Sequence, residues 1–275
     1  VIHQRKESKT INTSNKKIRL EGFNLLTNTF AHIPGITRET EQEIWGNDCL
    51  SWKDFLDNNK RLDITSSKKQ RICKHITSSL AARKNKDYDF FLDNIPKNLH
   101  WRVYPELKDK CCFLDIETTG LSHHNDITVI GLFDGKKSKM FINGKNLNQF
   151  KKEIKKYSMI VTYNGKCFDV PFILSKFPGL DLNKFHVDLR FAMREIGYSG
   201  GLKRIEKEIG IYRDDSIKEV DGFEAVRLWY RYKKGDKEAL DTLIKYNQAD
   251  IENLKVMMDF AFEKLKDKHF LSVIC

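Results

Sequence analysis

Long apolar runs are missing from this sequence. No segment approaches the roughly 20 consecutive apolar residues needed to cross a bilayer, so a membrane role is not expected. The opening stretch VIHQRKESKTINTSNKK also lacks the apolar centre of a secretory signal, and a cytoplasmic location is the resulting expectation. Cysteine is sparse: six residues, at 49, 73, 111, 112, 167 and 275, show neither regular spacing nor a CxxC pair. That excludes a disulfide framework and a thiolate zinc site as organising devices. Adjacent Cys111 and Cys112 open an apolar strand and read as small core residues. Internal repeats and long low-complexity segments are absent as well.

What is present is a surplus of positive charge. Lysine and arginine outnumber aspartate and glutamate by 49 to 38, a net charge of +11. Such an excess favours an anionic partner, with nucleic acid foremost. Part of it lies in an N-terminal basic arm, where Arg5, Lys6, Lys9, Lys16, Lys17 and Arg19 face a single acid, Glu7. With 40% hydrophobic and 32% charged residues the composition is that of a globular protein, long enough for one sizeable core and a smaller companion domain.

Residues 1–108 carry apolar positions at helical spacing, among them Ile44, Trp45, Trp52, Phe55 and Leu56, and read as a small helical domain. DNIPKNLHWRVYPELKDK, with two prolines and no period, reads as a connector. Residues 109–275 read as a second domain of the α/β class, a mixed sheet flanked by helices. Its strands are CCFLDIE, two more within DITVIGLFDGKKSKMFING joined by a turn at Asp134-Gly135, then SMIVTYNG and FHVDLR. Helices are expected over NLNQFKKEIKKY, over FDVPFILSKF, and over about 189–209, 221–233 and 237–267.

Acidic residues supply the chemistry. Asp115 and Glu117, in FLDIETTGL, are two apart on a strand and project from one face. Neighbouring carboxylates repel unless a cation intervenes, and hard oxygen ligands suit magnesium or manganese. Two acids at a strand end facing water are the plain alternative. Asp169, in VTYNGKCFDVPFI, follows a strand and starts a helix, where an N-cap is the plain alternative. Tyr246 and Asp250, in YNQADIENL, are four apart and share a helix face.

In their order FLDIETTGL, YNGKCFDVPF and YNQAD, these segments resemble the DEDD 3′–5′ exonucleases of the ribonuclease H-like superfamily. HVDLR, GGLKRIEKEIGI and GFEAVRLWYRYKKGD are similar to the YprB-like branch. The resemblance spans about residues 111–260 and implies a ribonuclease H-like fold. It also implies two Mg2+ or Mn2+ ions on Asp115, Glu117 and Asp250, with Asp169 as a fourth carboxylate acting through water. Tyr246 stands where another subclass has histidine, which implies the tyrosine type. With a reference pKa of about 10, its phenol orients the attacking water better than it deprotonates it. Thr118, Thr119, Gly120 and Leu121 would cradle the terminal nucleotide, Leu121 as a wedge, with Asn164 and Phe168 beside them. The implied reaction releases nucleoside 5′-monophosphates from a single-stranded 3′ end. DNA is favoured over RNA because HIPGITRETEQEIW resembles half of a helix-hairpin-helix, with Thr37 at the place of its second glycine. An RNA-directed exonuclease and a non-catalytic nucleic-acid-binding scaffold are the alternatives.

Other features admit two readings each. SGGLK could offer backbone amides and Lys203 to a phosphate, or Ser199 and the glycines could simply cap a helix. Asp188 in HVDLR would pack or support the site. His123 and His124 read as loop residues, and the basic stripe over 60–86 as a strand-guiding surface.

Overall fold

The computed structural model describes residues 24–122 and 124–274. The basic arm, His123 and Cys275 lie outside the described residues. No helix among those described is long and apolar enough to cross a membrane.

The first region is helical: α1 (Leu25–Asn28), α2 (Arg38–Gly46), α3 (Trp52–Asn58), α4 (Ser66–Lys84) and α5 (Tyr88–Asn94). The polar loops between them start these helices. Side chains of Asn24, Thr37, Ser51, Thr65 and Asp87 accept N–H bonds from the first turns, and Ser51 with Asp54 completes a capping box. The stretch that reads as a connector is instead packed. Lys97–Val103 form a 3-10 helix that buries His100, Trp101, Arg102 and Val103. Its apolar residues show no helical period because a three-residue turn repeats differently from an α-helix. Arg102 is buried against Glu41, with both carboxylate oxygens 2.9 Å from its Nη1.

Among the described residues five strands form one sheet in the order β3-β2-β1-β4-β5. They are β1 (Cys111–Thr118), β2 (Ile127–Phe133), β3 (Ser138–Ile142), β4 (Met159–Thr162) and β5 (Phe185–Asp188). β1 runs antiparallel to β2 and parallel to β4; Gly135, at φ 86°, makes the β2–β3 turn. This is the mixed α/β sheet flanked by helices that the sequence pattern predicts. The helices are α6 (Phe150–Glu153), α7 (Asp169–Lys176), α8 (Leu189–Glu195), α9 (Leu202–Glu208), α10 (Gly222–Lys233), α11 (Lys237–Lys266) and α12 (Ser272–Ile274). The expected helix over 189–209 is two helices, because Gly197 and Gly200, at φ 97° and 132°, turn the chain out of α geometry. NLNQFKKEIKKY likewise gives a single α turn, α6, between two 3-10 turns.

Strand alternation sends successive β1 side chains to opposite faces. Cys112, Leu114 and Ile116 pack with Phe150, Phe172 and Ile173 on the α6–α7 side. Cys111 and Phe113 face the other way, towards Ile251, Leu254 and Met258 of α11. Asp115 and Glu117 continue that second, odd-numbered series, so they arrive beneath α11. The α11 cluster is continuous with the N-terminal helices through Trp45, Trp101 and Phe270.

Candidate active site

Three sequence segments meet in a cleft of about 510 Å³ whose lining includes Asp115, Glu117, Asp169, Tyr246 and Asp250. Asp115 and Glu117 come from the end of β1, where a register shift between Glu117 and Thr118 ends regular pairing with β2. Asp250 and Tyr246 hang from α11, one turn apart on its buried face. Oxygens of Asp115, Glu117 and Asp250 lie within 4.8 Å of one another.

Asp169 lines the same cleft but stands outside that group. It opens α7 without serving as its N-cap, and its Oδ1 accepts the Ile116 N–H at 3.1 Å, which ties α7 to β1. Asp188 faces elsewhere. Its carboxylate accepts the N–H groups of Asn164 at 2.8 Å, Lys166 at 3.0 Å and Arg190 at 3.1 Å, holding the YNGK turn in shape. Asn164 sits there at φ 63°, a conformation that asparagine tolerates better than most residues.

The electrostatics mark the cluster as a place for added positive charge. Burial, then the neighbouring carboxylates, pushes Asp115 and Glu117 well above the usual carboxylate range. Burial pushes Asp169 up to about 7 and Asp250 up to about 6, the latter held down by Arg213. Among the described residues Arg213 alone pairs with this set, and it touches Asp250. Among the described residues, Asp115 and Glu117 receive only the neutral Asn247 amide, at 2.8 and 3.4 Å. Three grouped carboxylates with one cationic neighbour fit a hard divalent cation, which would remove the repulsion that burial imposes.

Several parts of the site are not apparent from sequence motifs. Asn247 lies three residues before Asp250, so helical spacing places the two side by side on α11 and could have singled it out. Gly131, opposite Asp115 on β2, makes room for it: a Cβ there would stand 2.0 Å from Asn247 Oδ1. Gly131→Ala is therefore expected to displace Asn247, lowering turnover roughly 10- to 100-fold and stability by about 1–3 kcal/mol. Unchanged kinetics and urea melting would show that the amide does not hold the carboxylates.

Arg213 sits in the loop after α9, where no periodicity announces it. It pairs bidentately with Glu206 at 2.7 Å and lies 5.4 Å from the centre of the Tyr246 ring. Phe223, at the start of α10, lines the cleft yet is 77% exposed.

The remaining expected residues divide. Thr118, Gly120, Leu121, Asn164 and Phe168 line the cleft, and Leu121 projects at 80% exposure. Thr119 turns into the 119–126 loop, where its Oγ1 accepts the Asp126 N–H at 3.0 Å. Lys203 is not part of the lining: its ammonium binds the Lys218 and Val220 carbonyls and lies 5.3 Å from the Tyr246 ring centre. The cap position of α9 belongs to Gly201, not Ser199. The Pro34-Gly35 turn precedes α2 with Thr37 as its cap. His124 is exposed in its loop, and no basic residue of 60–86 lines the cleft.

Comparison with known proteins adds a family. Residues 112–262, more than half of the chain, match RNase_H_2 of the RNase_H superfamily. No curated protein sequence matches the chain. Similar solved structures include a family B DNA polymerase from the archaeon Pyrobaculum calidifontis, 17% identical, TM-score 0.42, over 57% of this chain and 24% of that one. The chain thus spans about a quarter of the polymerase. Brucella melitensis NrnC is 16% identical, TM-score 0.41, over 62% and 81% of the two chains. Escherichia coli RNase D, an exoribonuclease, is 14% identical, TM-score 0.39, over 64% and 48%.

Proposed function

The chain belongs to the RNase_H superfamily, and on that premise we propose that it is a metal-dependent 3′–5′ exonuclease of the tyrosine DEDD type, in the YprB-like branch. Its proposed substrate is single-stranded DNA, and its product nucleoside 5′-monophosphates. The observation that carries this reading is the grouping of Asp115, Glu117 and Asp250 within 4.8 Å at the floor of an open cleft, with Tyr246 beside them. We further assign residues 109–275 to the nuclease domain and residues 1–108 to a helical companion.

Asp115, Glu117 and Asp250 would hold Mg2+ or Mn2+, with Asp169 as an outlying fourth carboxylate. Held there, divalent cations would supply the positive charge that activates a water and offsets the charge developing on the scissile phosphate. The chain's own groups do the positioning. Asn247 aims Asp115 and Glu117, and Arg213 fixes Asp250. Burial and the adjacent carboxylates raise the Tyr246 phenol far above its ordinary value, so it keeps its proton and can orient the attacking water by hydrogen bonding. Leu121 and Phe223, the exposed apolar side chains of the cleft, suit a terminal base, and Phe168 lines the same cleft.

The test is the time course of product lengths from 5′-labelled DNA and RNA strands with magnesium. An exonuclease gives a ladder from the 3′ end; early internal cuts, or no cleavage of any single strand, would overturn the proposal. Faster loss of RNA would move the substrate to RNA. Tyr246→Phe is expected to lower kcat by about 10- to 100-fold, with KM little changed; full activity would remove the phenol from the reaction.

A further inference from the structure

Two basic hollows continue from the catalytic cleft. The first, of about 560 Å³, shares Tyr163 and Asn164 with it and adds Arg190, Arg194 and the backbone of Ser199–Gly201. The second, of about 500 Å³, shares Arg194 with the first and adds Lys97, Lys166 and Phe191. The three hollows therefore form a chain of shared walls leading from the carboxylates to the N-terminal region.

The charge along this path is one-sided. Arg190 and Arg194 lie one turn apart on α8 and are both exposed. Lys97 comes from the 3-10 helix and Lys166 from the turn before α7. Among the described residues none of these four cations has an ion-pair partner; the Arg190 guanidinium donates only to the neutral Asn164 side chain, at 2.6 Å. Two acids line the path and both are engaged. Asp188 accepts three backbone N–H groups, and Glu195 pairs with His269 at 2.6 Å. Four unpaired cations around two satisfied acids leave a trough complementary to phosphodiester charge.

Phe191 adds a second kind of contact. It is 39% exposed, and the Arg194 guanidinium lies 5.3 Å from its ring centre. An exposed aromatic ring beside cations is what single-strand binding surfaces use, since any base can stack while the backbone is held electrostatically.

We propose that this trough, from Tyr163 and Asn164 over Arg190 and Arg194 to Lys97 and Lys166, carries the single strand upstream of the nucleotide held in the cleft. The assignment rests on the nuclease reading above and adds where the rest of the substrate runs. It gives the enzyme a preference for strands longer than the cleft alone can hold, and a salt dependence set by the trough.

The experiment compares the full chain with a Lys97→Ala/Arg194→Ala variant, both side chains being exposed so that the fold is left intact. Binding to a labelled thymidine strand of about 12 nucleotides, within the range one groove covers, is measured against salt for each protein. The ratio of kcat/KM for that strand to kcat/KM for a thymidine dinucleotide is measured with magnesium. The expected result is a preference for the long strand that falls about tenfold or more in the variant, with the salt slope reduced by about one to two. Lys97→Arg/Arg194→Lys should restore both. An unchanged preference and slope in the alanine variant would overturn the trough, as would a wild type that does not bind the long strand. A wild type that binds it with the expected salt slope yet hydrolyses nothing would overturn the nuclease reading and leave the trough standing.

Discussion

Asp115→Asn is expected to lower strand hydrolysis by roughly three orders of magnitude or more, equivalent to about 4 kcal/mol of lost transition-state stabilisation. Asparagine fills the same volume and can still meet the Asn247 amide through its carbonyl. It cannot supply a negative charge to the group formed with Glu117 and Asp250. The loss of hydrolysis should therefore come from lost turnover and not from misfolding. Hydrolysis within tenfold of wild type would remove Asp115 from the metal site and sink the mechanism proposed above.

The same substitution has a stability signature when a chelator strips metal. Asp169 and Asp250 are raised to about 7 and about 6, and Asp115 and Glu117 are raised with them, chiefly by burial. Unfolded carboxylates titrate near 4. Between pH of about 4 and about 7 these four carboxylates therefore bind more protons in the folded state than in the unfolded state, and the stability they contribute falls as pH rises, against an opposite slope from His32, His100 and His186, which burial holds at about 3 to 4. Between pH of about 5 and neutral pH the metal-free wild type should lose more stability, or gain less, than Asp115→Asn does. Divalent metal should restore most at neutral pH, because it binds the ionised form. Removing one charge with Asp115→Asn should flatten the slope. A pH slope of the metal-free Tm that Asp115→Asn leaves unchanged would show that the carboxylates are not in conflict.

The largest stability effect is expected far from the cleft, at Glu41→Ala. Glu41 and Arg102 are 1% and 2% exposed, and the guanidinium lies 5.5 and 5.7 Å from the ring centres of Trp45 and Trp101. Glu41 Oε1 also accepts the N–H groups of Phe30 at 2.7 Å and Ala31 at 2.9 Å. Truncating it leaves a buried cation and two backbone donors unsatisfied. A loss of about 3–5 kcal/mol follows, or a drop of about 10 °C in Tm. Arg102→Met added to Glu41→Ala should recover part of it, because a neutral side chain of similar length has no charge to strand. A single-variant loss below about 1 kcal/mol, read from urea unfolding, would mean that the pair is not buried in solution.

The order of the acidic segments and the strand pattern around them were legible in the residues. FLDIE alternates, so Asp115 and Glu117 had to share a face, and the spacing of Tyr246 and Asp250 put both on one side of a helix. That much is local geometry, set by the two-residue period of a strand and the 3.6-residue turn of a helix. The same periods misread 189–209 as one helix, because glycine conformation depends on what surrounds it, and read residues 97–103 as a connector when His100, Trp101, Arg102 and Val103 are buried. Which elements meet is another matter. Arg213 reaches Asp250 across 37 positions, Lys203 binds the Lys218 and Val220 carbonyls beside the Tyr246 ring, and Gly131 matters through an amide 116 residues later in the chain. No local pattern encodes such pairings, since they depend on how β1, β2 and α11 pack together. The sequence by itself determined which groups could do the chemistry; only the tertiary structure decided which of them stand together, because burial and charge repulsion act between elements that sequence order keeps apart.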